Sequence, residues 1–158
     1  MKILQVTLGF PPSFAFGGPV KIVYENSKEL VRRGHQVTVF CSNLLDKRHK
    51  IKLRGFECDL DGIHVMYFNT WNLPWWPGTL WPIWLPELPA YLRKEIHKFD
   101  VIHINGYRNF FHLPIVHEAH RAGVPFVVQP HGTLPRIVNT IFLKRLYDKI
   151  FGSLELKG

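Results

Sequence analysis

The first forty residues constrain the fold more than any other stretch. A short apolar run at Ile3, Leu4 and Val6 is followed by the pair Gly17 and Gly18, an amphipathic segment, and a second apolar run that closes at Cys41. Between Pro19 and Arg33, the residues Val20, Val23, Tyr24, Ser27, Leu30 and Val31 share one face of a helix, while Lys21, Glu25, Lys28, Glu29 and Arg32 lie off it. Pro19 suits the first helical turn, where its missing N–H costs nothing. Gly34 stands just past Arg32 and Arg33, whose charges favour the negative end of the helix dipole. The β-branched run Val37 to Val39 then returns as a strand. A parallel strand reached through a helix is the right-handed βαβ unit that opens a doubly wound sheet, so an α/β fold is expected.

The bulk composition agrees with one globular domain over residues 1–158, with 46% apolar and 20% charged residues. Cys41 and Cys58 form neither a CxxC redox pair nor a zinc half-site, and two cysteines are too few for a disulfide scaffold. The chain passes from Met1 directly into the first strand, without the order of residues that marks a signal peptide, which predicts a cytoplasmic protein. The apolar region from Trp71 to Trp84 is broken by Pro74, Pro77 and Pro82, and is too short to span a bilayer of about 30 Å as a helix. A net charge of +8 and a pI near 9.7 imply anionic company. Nucleic acid is disfavoured, because the aromatic residues cluster with prolines instead of alternating with Lys and Arg. Phosphorylated small molecules or an acidic membrane surface remain.

Further along, the basic stretch of Lys47, Arg48, Lys50, Lys52 and Arg54 leads into two segments, 51–58 and 63–68, joined at residues 59–62. They predict a hairpin or a pair of edge strands, with the lysines guarding the edge. All five tryptophans, Trp71, Trp75, Trp76, Trp81 and Trp84, fall in a proline-rich loop that either covers the core or offers its rings to a sugar, a lipid headgroup region or a partner. A helix is expected from Glu87 or Ala90 to Lys98, and others over 110–122 and 137–151. Val101 to Ile104 and Phe126 to Gln129 read as two buried strands. A six-stranded doubly wound domain would carry one more strand after the last helix, so the chain reads as a piece of a longer protein.

Ligands of such sheets bind beyond the carboxyl ends of the strands, where the strand order reverses. The loops expected there hold Gly17 and Gly18, then Asn105, Gly106 and Tyr107, then His131, Gly132 and Thr133. The two glycines allow close backbone approach, and the helix start behind them seats an anion such as phosphate. GxGxxG is absent, and the second strand ends in Cys41, Ser42 and Asn43 where an acid would meet a dinucleotide ribose. No GK[ST] follows the glycines, so a P-loop is missing as well. His117, Glu118 and His120 do not form HExxH, because the histidines are three apart instead of four, and they are expected to be solvated. His131 differs from them in lying on a loop beside a glycine, in the expected crevice.

Taken in order, GGP at Gly17 to Pro19, RRGHQVTVF at Arg32 to Phe40, FDVIHING at Phe99 to Gly106 and PFVVQPHGTL at Pro125 to Leu134 resemble the N-terminal Rossmann-like domain of family four retaining glycosyltransferases of the GT-B fold. The resemblance covers nearly the whole chain. It implies transfer of a sugar from a nucleotide sugar to a saccharide or lipid-linked acceptor, with retention and without a required metal or other cofactor. It also implies a second, nucleotide-binding domain, C-terminal to this acceptor-side one, whose paired glutamates hold the donor. An isolated acceptor-side domain would be inactive. Carried onto this sequence, Gly17 and Gly18 would contact the donor diphosphate, and His131 would be the catalytic residue facing the transferred sugar. Asn105, which stands where many members have histidine, and Tyr107, Arg108 and Gly132 would serve the sugar or acceptor. The alternative is a stand-alone binding module for phosphorylated ligands or an anionic membrane surface, resting on the charge and the tryptophan loop. An enzyme acting peripherally at the inner membrane face would unite the two.

Overall fold

The computed structural model describes residues 1–52, 57–73, 83–134 and 141–156. β1 (Lys2–Val6) pairs in parallel with β2 (Gln36–Ser42) through α1 (Gly18–Arg32), as the opening pattern predicts. β3 (Glu57–Leu60) and β4 (Ile63–Phe68) form the expected antiparallel hairpin, with Asp61 and Gly62 at its turn both at positive φ. A two-stranded ribbon of β5 (Trp71–Asn72) and β6 (Ile83–Trp84) follows. Then come α2 (Leu88–Glu95), which runs into a 3-10 turn at Ile96–Lys98, β7 (Val101–Asn105), α3 (His112–Ala122), β8 (Phe126–Gln129) and α4 (Ile141–Leu156). The six-stranded sheet has the order β3-β4-β2-β1-β7-β8, parallel throughout except for β3. This is a doubly wound, Rossmann-like α/β sheet, and its order reverses between β1 and β7.

The apolar periods explain the layers. Val23 of α1 packs with Val37, Val39 and Cys41 of β2 and with Ile63 and Val65 of β4 on one face. On the other face Leu4, Phe40, Ile102 and Ile104 meet Leu88 and Leu92 of α2 and Ile115, Val116 and Ala119 of α3. A parallel sheet covered on both faces needs such near-continuous apolar strands. α1 ends because Gly34 takes φ +84°, so that its N–H reaches the Val31 carbonyl at 2.9 Å and the His35 N–H reaches Leu30 at 3.1 Å. This left-handed cap satisfies two otherwise unpaired carbonyls. No atom lies within 4 Å of a Cβ placed on Gly34, so Gly34→Ala tests backbone strain alone. It is expected to cost about 1 kcal/mol in urea denaturation, and an unchanged midpoint would rule the strain out.

Three expectations need correction. β8 is not buried: it stands last among the described strands of the sheet, with Val127 58% exposed. An apolar run does not reveal whether a further strand flanks it. The lysines do not guard the other edge: β3 carries Glu57 and Asp59 facing His64 of β4 at 3.4 and 3.8 Å, whereas Lys47, Arg48, Lys50 and Lys52 project from the connection between β2 and β3. Glu118 of α3 is 7% exposed instead of solvated, and binds Arg121 at 2.7 Å, while His117 and His120 are exposed as expected. Arg54, Trp75, Trp76 and Trp81, the prolines Pro74, Pro77 and Pro82, and residues 137–140 of the last expected helix lie outside the described residues. No helix among the described residues is long and apolar enough to cross a membrane.

Candidate functional site

The crevice lies beyond the carboxyl ends of β1, β7 and β8. Asn105, the last residue of β7, is buried, and its Nδ2 donates to Gln5 Oε1 of β1 at 2.8 Å and to the His103 carbonyl at 3.3 Å. That carbonyl can only accept, which turns the amide so that Oδ1 faces His131 Nε2, 3.0 Å away. Nε2 must therefore carry the proton, and Nδ1 keeps a lone pair. Burial lowers the pKa of the half-buried His131 below the ordinary histidine value, so the neutral ring prevails at neutral pH. His103, in the same strand as Asn105, is also pushed down by burial, partly offset by a hydrogen bond to Gln129. The result is a neutral, directional chain of hydrogen bonds across three strand ends.

The turn that holds His131 is specified locally and by a distant anchor. Its Thr133 N–H donates to the Pro130 carbonyl at 3.0 Å, and both central residues, His131 at φ +48° and Gly132 at φ +80°, are left-handed. Histidine is among the few residues that enter this region, and non-glycine residues held there cluster at functional sites. Arg108, also at positive φ, clamps the turn: its Nη2 donates to the Leu134 carbonyl at 3.0 Å and its Nη1 to the Thr133 carbonyl. The same guanidinium grips Asp148 of α4 through Nε and Nη2, each at 2.8 Å, and lies 4.6 Å from the Tyr107 ring. Tyr107 Oη donates to Asp148 at 2.9 Å. Thus Tyr107 and Arg108, expected to line the acceptor side, are tied into the wall of the site by their polar groups.

Gly17 and Gly18 sit at the start of α1, on the same carboxyl edge, and take no part in the His131 chain. Gly17 has φ +82° and ψ −152°, a conformation essentially reserved for glycine. Gly18 has no such backbone demand, and a Cβ built on it meets nothing within 4 Å. Neither its conformation nor packing among the described residues asks for a glycine there. Among the described residues no group of three or more His, Cys, Asp or Glu side chains could hold a metal ion.

The sequence alone singled out Asn105, His131 and Gly132 as neighbours across the crevice, and the first two share a hydrogen bond. It missed Gln5 and Asp148. A glutamine inside the apolar run of β1 was the available signal for the first, since a polar side chain in a strand buried on both faces needs an internal partner. Asp148, an acid among Lys144, Arg145 and Lys149, was the signal for the second.

Residues 17–150 match the protein-family model described as a glycosyl transferase 4-like domain. No curated protein matches the chain.

Proposed function

The chain belongs to the glycosyl transferase 4-like domain family, and we propose that it is the acceptor-side half of a retaining glycosyltransferase that draws a sugar from a nucleotide sugar. A nucleotide-binding domain would face the carboxyl edge of the sheet and complete the site. The donor diphosphate would lie against Gly17 and Gly18, where the helix start offers a partial positive charge and the Gly18 N–H; the Gly17 and Val20 N–H groups are bonded to the Phe14 and Gly17 carbonyls at 3.0 and 3.2 Å, and Pro19 has none. As the bond from the anomeric carbon to phosphate breaks, its electron pair leaves on the diphosphate, and these fixed dipoles stabilise the growing charge. His131 would accept a hydrogen bond from a hydroxyl of the transferred sugar through Nδ1, with Gly132 leaving room beside it. Asn105 sets the tautomer that makes this possible. Tyr107 and Arg108 would shape the acceptor side chiefly by fixing the turn. No metal or other cofactor enters this scheme.

The observation that supports the reading is Gly18, a glycine that neither its backbone nor the described packing requires and that leaves space for a ligand to approach the backbone closely. Gly17 is less informative, because its backbone alone accounts for it. Gly18→Ala is therefore expected to leave thermal stability unchanged or slightly raised, since alanine is the better helix former. It should raise the KM for the nucleotide sugar about tenfold in the assembled enzyme, from the loss of one charge-assisted backbone contact. An unchanged KM would remove the diphosphate from this loop. A binding role without transfer is the competing reading, and turnover of a nucleotide sugar by the assembled enzyme separates the two.

A further inference from the structure

A cleft of about 620 Å³ opens on the same carboxyl edge, between the β5–β6 ribbon and the start of α3. Trp71 and Trp84 are directly opposed across the ribbon, so both indoles project from one face of it. They are 72% and 45% exposed, unusual values for rings that alone could remove so much apolar surface from water. Leu73 and Phe110 add to the apolar wall, and Ile83, 2% exposed, backs it from the core side of the ribbon. The polar side chains of the lining are largely committed to the backbone: Thr70 Oγ1 donates to the Phe68 carbonyl at 3.3 Å, and Asn72 Nδ2 to the Lys47 carbonyl at 3.1 Å. A saccharide would need several hydrogen-bonding partners here. The walls offer mostly carbon.

The rim is different. Lys50 is the one charged group among the described lining residues, and it projects from a turn built to display cations. Leu44 and Lys50 bridge the ends of that turn. Inside it Asp46 accepts the N–H groups of Arg48 and His49 at 2.7 and 2.8 Å and meets the His49 ring at 2.8 Å. Those bonds hold the Asp46 carboxyl down at about 2, so it stays ionised and offsets one of the positive charges of the turn, leaving the others in excess. Lys47, Arg48, Lys50 and Lys52 all reach solvent. An apolar cleft with a cationic rim is complementary to an amphiphilic anion.

We propose that this cleft binds a single amphiphile, an isoprenoid or acyl chain carrying a phosphate, with the chain against Trp71 and Trp84 and the phosphate on Lys50 and its neighbours. That this amphiphile is the acceptor, or carries it, rests on the transferase reading; that it binds does not.

Titration calorimetry with hexyl, octyl and decyl phosphate below their micellar concentrations tests the binding. Affinity should rise about three- to fourfold per added methylene. Trp84→Ala, and separately the more exposed Trp71→Ala, should each weaken decyl phosphate about tenfold while circular dichroism stays unchanged. Lys50→Gln should weaken decyl phosphate and leave a neutral decyl glycoside unaffected. Affinity independent of chain length, or indifferent to both tryptophan variants, would overturn the proposal. So would competition by inorganic phosphate alone at equal concentration. Binding to phosphatidylglycerol vesicles without binding of monomeric decyl phosphate would assign the face to a bilayer and overturn it too. If no sugar transfer is detected but alkyl phosphate binds as described, the transferase reading fails and the cleft stands. The reverse pattern removes the cleft alone.

Discussion

His131→Asn is expected to lower kcat about a hundredfold or more in the assembled enzyme, the scale of a lost positioned catalytic group. Stability should barely change. Asparagine is the residue most at ease at positive φ after glycine, so the φ of +48° at this position is met without added strain. The substitution therefore separates the imidazole from the turn that carries it, which His131→Ala would not do as cleanly. Wild-type pH dependence supplies a second readout. The scheme needs the Nδ1 lone pair, hence the neutral ring, and burial lowers the His131 pKa from the ordinary 6.5. A lowered value means that the acid limb lies below the ordinary histidine range, with activity falling as pH drops through the shifted value. An acid limb absent from the His131→Asn profile but present in the wild type assigns the limb to this ring. Equal kcat in the two proteins would take His131 out of the mechanism.

That such a test can be framed owes much to what periodicity makes legible. β1, α1, β2, β7 and β8 follow from apolar spacing and punctuation because each is a local event: a face to bury, a cap at Gly34, a turn at Gly132. The crevice follows as well, since loop positions after parallel strands converge by topology. What stays hidden is whatever depends on sheet order or on distant partners. Val127 is apolar yet 58% exposed, in the last strand of the described sheet, and the residues of β8 carry no mark of that. Gln5 and Asn105 are 100 residues apart in sequence and 2.8 Å apart in space. The basic run reads as a guarded edge because charge and position alone do not distinguish a strand from the connection leading to it. Once the connection is placed, Lys50 stands at the rim of an apolar cleft.

The turn of the site is anchored by the buried pair Arg108–Asp148, and removing either member is expected to cost about 3–5 kcal/mol of folding stability, as breaking a buried ion pair does. The side chains are 4% and 11% exposed, their contact is bidentate, and Tyr107 Oη adds a third bond to the carboxylate. Arg108→Met leaves a largely buried carboxylate without its guanidinium. Asp148→Leu leaves a largely buried cation without its carboxylate. A single substitution costing less than about 1 kcal/mol in urea denaturation would place the pair with weak surface bridges instead. The double variant Arg108→Met/Asp148→Leu discriminates further. Because the desolvation of both charges is then avoided together, much of the lost stability should return. Turnover should not return with it. The guanidinium also holds the Thr133 and Leu134 carbonyls, and no side chain of methionine can donate to them. The His131 turn would then lose its anchor to β7 and α4 while the fold persists. A double variant that recovers both stability and kcat would show that the clamp stabilises the domain without positioning the histidine.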